Sequence, residues 1–185
     1  MKTRAAANAD AHAIARIHVI SWQAAYRGLM PDELLDKLSI ARREAGWQSA
    51  IDRGEPKIVV AIAESGDMLG WTAFGRCRDA GAPASTAELW AIYVDPAHWS
   101  CGVGQALWNA ARASLADDGY EDVIVWTLRD NERALRFYAA VGFVVDAGAV
   151  KPGDFGGVTL GEVRCVARLR SRRAPDVQGS DHDRW

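Results

Sequence analysis

Residues 87–107 constrain the fold more than any other stretch, because they force a strand, a tight turn and a helix into that order. The strand reads Ala87-Glu88-Leu89-Trp90-Ala91-Ile92-Tyr93-Val94 and stops at Asp95-Pro96, since proline has no N–H for a ladder. Trp99-Ser100-Cys101-Gly102-Val103-Gly104-Gln105-Ala106-Leu107 follows. Gly102 and Gly104 carry no Cβ, so backbone amides there can approach a ligand closely. The helix that begins at this turn presents unpaired N–H groups and a positive dipole end to an anion. A near-continuous apolar strand at residues 121–128 completes a strand-helix-strand unit with parallel strands, the second buried on both faces.

A second element follows, Asn131-Glu132-Arg133-Ala134-Leu135-Arg136-Phe137-Tyr138-Ala139-Ala140-Val141-Gly142-Phe143. On a helix Asn131, Ala134 and Tyr138 stand at i, i+3 and i+7 and share one face. The small Ala134 between an amide and a phenol leaves room for a ligand along the helix. Gly142 supplies the C-cap, and Phe143 opens the next strand.

Together the two elements resemble the GNAT superfamily of acyl-CoA N-acyltransferases. The family's loop is written Gln/Arg-x-x-Gly-x-Gly/Ala, and its second helix often reads Asn-x-x-Ala-x-x-Phe-Tyr-x-x-x-Gly-Phe. The second pattern matches throughout residues 131–143. The first matches at Gly102 and Gly104 but has Trp99 where Arg or Gln is expected, and Cys101 at a position frequently basic. The motifs cover residues 86–143, and the order of elements extends the resemblance over most of residues 1–168.

The rest of the chain is read as a short strand at residues 2–6, then a helix capped by Asn8 or Asp10 and running to about Tyr26. Helices follow at residues 31–38 and 40–53, then strands at 57–64 and 68–76 joined by Ser65-Gly66-Asp67. Residues 77–85 form a Gly, Ala and Pro loop. After the residue-131 helix come strands at 143–150 and 158–168, joined by a loop at 151–157. This mixed order predicts an α+β fold, one domain over residues 1–170 and a polar, disordered tail at 171–185. The resemblance implies the GNAT-like form: a central, mixed, mostly antiparallel sheet of six to seven strands flanked by helices. It also implies a V-shaped splay between the fourth and fifth strands, for which a bulge near Ala91 is the natural device.

Composition narrows the class. A chain of 185 residues, 49% apolar, is long enough for one sizeable core. A net charge of −2 gives no electrostatic reason to bind nucleic acid, and the basic cluster Arg168, Arg170, Arg172 and Arg173 reads as a solvated strand end. Cys77, Cys101 and Cys165 are odd in number and lack ligand spacing, so neither a disulfide framework nor a metal site is expected. No apolar run approaches a membrane span of about 20 residues, and a soluble, cytoplasmic protein is expected. A Rossmann domain fits poorly, since no Gly-x-Gly-x-x-Gly follows the first strand.

The resemblance implies acetyl-CoA as cosubstrate and transfer of its acetyl group to a primary amine of a small molecule or peptide. Backbone N–H groups of Ser100, Cys101, Gly102, Val103, Gly104 and Gln105 are the candidates for the pyrophosphate, with Arg133 or Arg136 near the ribose phosphate. Ile92, Tyr93 and Val94 would pair with the pantetheine arm as with a strand, and an N–H near Ile92 or Tyr93 would meet the oxyanion. Asn131 and Ala134 would face the same arm. Tyr138 is the candidate acid for the departing thiolate. Glu88 is the candidate base: set among apolar residues, a carboxylate there is expected to be desolvated, with Trp90, Ile92 and Val94 as its alternation partners. His18, Trp22 and Tyr26 recur at i, i+4 and i+8, either as core packing or, in Trp22 and Tyr26, as an acceptor-binding stripe. Cys101 is either a reactive thiol at a helix N-terminus or a small residue beneath a phosphate. A non-catalytic acyl-CoA-binding module is the alternative to the enzyme, and homodimers are common in the resembled family.

Overall fold

The computed structural model describes residues 1–169. The expected tail and three of the four arginines at the strand end lie outside them. The elements run β1 (Lys2–Ala5), a 3-10 turn, α1 (Ala11–Tyr26), α2 (Asp32–Asp36), α3 (Ile40–Arg53), β2 (Lys57–Ile62), β3 (Met68–Arg76) and β4 (Thr86–Val94). After a second 3-10 turn come α4 (Val103–Asp117), β5 (Asp122–Leu128), α5 (Glu132–Ala140), β6 (Val144–Asp154) and β7 (Thr159–Arg168). One seven-stranded sheet has the order β1-β2-β3-β4-β5-β7-β6. Its pairs are antiparallel except β4 and β5. This is the α+β architecture expected.

Both sheet faces are covered, which is why β2 and β3 read as almost unbroken apolar runs. On one face Ile58, Val60, Trp71 and Ala73 pack under α1 and α3 through Ile14, Ile17 and Ala50. On the other, Phe74, Leu89, Val123 and Val125 meet Trp108 and Leu115 of α4 and Tyr138 of α5. Helix ends follow local chemistry. Ser39 Oγ accepts the Arg42 N–H at 3.2 Å to start α3, and Gly54 ends it at φ 70°.

Two boundaries differ from expectation. Asp10 stands at the N-cap of α1 but makes no side-chain capping bond to it; its carboxylate accepts from Arg4 at 2.6 and 2.9 Å and from the Ala7 N–H at 2.7 Å, so it ties β1 to the helix instead. Residues 151–154, expected in a loop, continue β6, because a register slip between Val145 and Val150 restores pairing from Lys151 to Asp154 against β7.

Under α1 and α3 lies a cluster of five rings, His18, Trp22, Trp47, Trp71 and Tyr93. His18 is therefore core, stacked on Tyr93 at 4.9 Å. Trp47 Nε1–H donates to its Nδ1 at 3.3 Å, which assigns the remaining ring proton to Nε2. Burial, aided by Arg43, pulls the His18 pKa down to about 3.

Two outcomes are expected. A Cβ at Gly70 would stand 2.7 Å from the Tyr93 carbonyl oxygen, so Gly70→Ala should cost about 1–3 kcal/mol in urea unfolding. His18 binds its proton more weakly folded than unfolded, so stability falls as pH drops through the ordinary value of 6.5 toward about 3. The loss approaches about 1.4 kcal/mol per pH unit inside that window, and His18→Phe should flatten the slope in unfolding curves measured against pH.

Candidate active site

The site begins where β4 and β5 part. They pair only at Thr86↔Asp122, Ala87↔Val123 and Glu88↔Ile124. Immediately beyond, β4 carries an extra residue: Ala73 faces Ala91 but Phe74 faces Leu89, leaving Trp90 as a one-residue bulge. The bulge bends β4 away and adds twist, and the strands diverge into a V. Alternate backbone groups of β4 past this point face the gap with no strand opposite. Val94 holds the far end, its carbonyl accepting Ser21 Oγ at 3.0 Å and Trp99 Nε1 at 2.9 Å.

A cavity of about 680 Å³ fills the gap. Its walls include Trp90, Ile92, Tyr93 and Val94 from β4, Val125 and Thr127 from β5, and Asn131, Ala134 and Tyr138. Ser100, Gly102, Gly104 and Gln105 close one end. Ser100 and Gly102 turn the chain with φ of 63° and 80°, a conformation that costs Ser100 about 1–3 kcal/mol. Helix α4 starts at once: its first bond joins the Ala106 N–H to the Gly102 carbonyl at 3.0 Å, so the N–H groups of Val103, Gly104 and Gln105 precede the ladder. Gly104 serves packing as well, since a Cβ there would lie 3.0 Å from Phe137. The side chains of Val103 and Cys101 stay off the wall. Val103 is buried beside Leu107, and Cys101 is exposed with its thiol 3.5 Å from the Trp99 carbonyl.

Trp99, which replaces the expected cation, has a cation of its own. The Arg133 guanidinium lies 4.0 Å above its ring, and both residues line the cavity. Arg136 is also on the wall but pairs with Glu132 at 3.0 Å.

Asn131 is the N-cap of α5, accepting the Ala134 N–H at 3.1 Å. Tyr138 is buried, burial pushes its phenol pKa well up, and its hydroxyl has no hydrogen-bond partner among the described residues. From α1, Tyr26 reaches the wall, whereas Trp22 acts at one remove by donating Nε1–H to Tyr93 Oη at 2.8 Å.

The strand partners of Glu88 require correction. The bulge breaks the alternation, so Glu88 shares a face with Ala91 and Tyr93 while Ile92 goes to the opposite one. The carboxylate is desolvated, as expected, and has a partner. It accepts from the Arg78 N–H at 2.9 Å and Nε at 3.1 Å and makes an ion pair with Arg78 Nη2, while only 2% exposed.

Sequence reading missed the residues around this pair. Arg78 lies over Trp90 at 4.3 Å, Trp126 donates to Asp79 at 3.0 Å, and Lys151 sits 3.9 Å above Trp126. The available signal was a pair of tryptophans, one in each diverging strand, beside charged neighbours.

An acyl-CoA fits this arrangement: an open helix end and Arg133 for phosphates, an unpaired strand edge for an amide-bearing arm, and a phenol at the apex. Among the described residues no cluster of potential metal ligands occurs, and no helix is long and apolar enough to cross a membrane.

Comparison with known proteins agrees. The family described as "Acetyltransferase (GNAT) family" matches residues 11–143. An uncharacterized N-acetyltransferase of Bacillus subtilis, YuaI, is 30% identical over 71% of this chain and 73% of its own length. The L-amino acid N-acyltransferase MnaT of Escherichia coli is 28% identical over 97% of this chain and 100% of its own. The structure of YncA from Salmonella typhimurium with acetyl-CoA superposes with a TM-score of 0.69 at 26% identity, covering 96% of this chain and 98% of that one. The chain belongs to the GNAT family of acetyltransferases.

Proposed function

We propose that the protein is an acetyl-CoA-dependent N-acetyltransferase that transfers the acetyl group to a primary amine of a small molecule or peptide by direct attack in a ternary complex. One observation carries the reading: a single cavity brings together an unpaired strand edge, the open N-terminus of α4 and a buried phenol whose hydroxyl has no hydrogen-bond partner among the described residues. Backbone amides from Ser100 to Gln105, with Arg133, hold the phosphates. A charge-assisted contact of the Arg133 kind is worth about 1.5–3 kcal/mol, and it supplies what the loop lacks in cations.

β4 from Ile92 to Val94 pairs with the pantetheine arm, and Asn131 and Ala134 face it across the cavity. Tyr138 donates its proton toward the leaving sulfur; its raised pKa keeps the phenol protonated at every physiological pH. Tyr26 borders the acceptor, and Trp22 holds Tyr93 in place. Glu88 is a positioning residue that fixes Arg78 over Trp90. The E. coli relative's name makes L-amino acids the first acceptors to test.

Thiol release from acetyl-CoA over an amine panel tests the reading, and acetyl-CoA binding without release on any amine would favour the module. Tyr138→Phe should lower kcat about 10²-fold and leave the acetyl-CoA Kd nearly unchanged by calorimetry; an unchanged rate removes its acid role. Arg133→Ala should raise that Kd roughly tenfold.

A further inference from the structure

Glu162 stands behind the cavity wall, within the field of Tyr26 and Tyr93 that line it, and the ion-pair pattern leaves it over. It lies on β7, opposite Leu128 of β5 and Lys151 of β6. Leu128 packs with Trp22, Tyr26 and Phe155 beneath α1 and α2, so Glu162 shares the sheet face that carries Glu88 and Tyr93. Its carboxylate sits under the β6–β7 hairpin, where a Cβ on Gly153 would lie 2.9 Å from Oε2.

Two cations act on it, Lys151 and Arg78, and Arg164 stands two residues further along β7; each is held elsewhere. Lys151 is drawn to Asp79 at 3.8 Å and to the Trp126 ring, Arg78 is taken by Glu88, and Arg164 is held by Asp146 at 2.7 Å. Among the described residues Glu162 makes neither a hydrogen bond nor an ion pair, although it is half-buried. A half-buried carboxylate with no resident partner keeps only part of its hydration, and a cationic ligand can supply the rest.

We propose that Glu162, rather than Glu88, receives the acceptor amine and acts as its general base, directly or through one water. This rests on the transferase reading above. The acceptor arrives as an ammonium, whose N–H bonds satisfy the carboxylate. One N–H proton passes to Glu162 and then to solvent, freeing the nitrogen lone pair. The nitrogen–carbon bond then forms as the carbon–sulfur bond breaks. The nitrogen's surplus proton replaces the one Tyr138 gives to sulfur, so the products are the amide, the free thiol and one released proton.

Burial raises the Glu162 pKa, with Glu88 and Asp79 adding to the rise and Lys151 and Arg78 opposing it. Tyr26 of α1 and Tyr93 of β4 lie within its field. The sign follows: the folded protein binds this proton more tightly than the unfolded chain, so its contribution to stability is present below the ordinary value of 4.5 and is lost as pH rises through the shifted value. Removing the charge should not destabilise the fold at neutral pH.

The test is thiol release with acetyl-CoA and each of the standard amino acids that carry a primary amine, from about pH 4.5 to about pH 9, for wild type, Glu162→Gln, Glu162→Asp and Glu88→Gln. Glu162→Gln is expected to lose about 10²-fold or more in kcat/KM and to flatten the acidic limb. Its acetyl-CoA Kd and its neutral-pH melting temperature should match wild type, and Glu162→Asp should regain part of the rate. Glu88→Gln should keep the limb and melt at a lower temperature. An active wild type whose limb survives in Glu162→Gln, or moves only in Glu88→Gln, overturns the assignment to Glu162. A wild type that binds acetyl-CoA yet acetylates none of the amino acids overturns the transferase reading for this acceptor class, and the base role with it.

Discussion

The rest of the structure depends on β4 and β5 stopping their pairing after three residues. Two parallel strands in one sheet would ordinarily continue, since every added pair satisfies further backbone groups. Trp90 prevents this by inserting one residue against β3, and the divergence leaves a strand edge unsatisfied inside the protein. An unpaired buried edge persists only where something else meets its N–H and C=O groups. Pinning Val94 by Ser21 and Trp99 keeps the gap from collapsing.

The same extra residue distributes the chemistry. It turns Ile92 toward α4 and α5, where the glycine loop and Tyr138 stand, and turns Ala91 and Tyr93 toward α1 with Glu88. The site therefore has two sides with different character. One offers amide dipoles, an arginine on an indole and a neutral phenol. The other is a lattice of ion pairs, Arg78 with Glu88, Lys151 with Asp79 and Arg164 with Asp146, from which Glu162 is left out. Pairing the neighbouring carboxylates concentrates the cost of desolvation on Glu162, which is how a site can hold a group ready for a proton at modest expense to the fold.

Much of the architecture was legible because it follows from local rules. Pro96, Gly102 and Gly54 mark ends whose backbone chemistry is read directly from residue type, and the apolar runs of β3 and β5 follow from burial on both faces. Ile92 and Val94 stand on the face opposite Glu88 for a physical reason. Strand alternation assumes an uninterrupted pleat, and one bulged residue reverses every assignment beyond it. The partner of Glu88, Arg78, comes from a loop after β3, and no periodicity relates a loop residue to the strand it will fold against. Pairing at Lys151 escapes local composition for a similar reason: a register slip within β6 restores the ladder at a point that residue type does not mark.

By itself the sequence determined the helix that opens at Gly102, the shared placement of Asn131, Ala134 and Tyr138 and the mixed order of strands, because each depends on residues within a few turns of one another. Tertiary structure alone decided which carboxylate is paired and which is left over, and that Arg133 covers Trp99. Those outcomes depend on charges brought together from β4, β6, β7 and the loop after β3. Such contacts are set by the closing of the sheet and not by spacing along the chain.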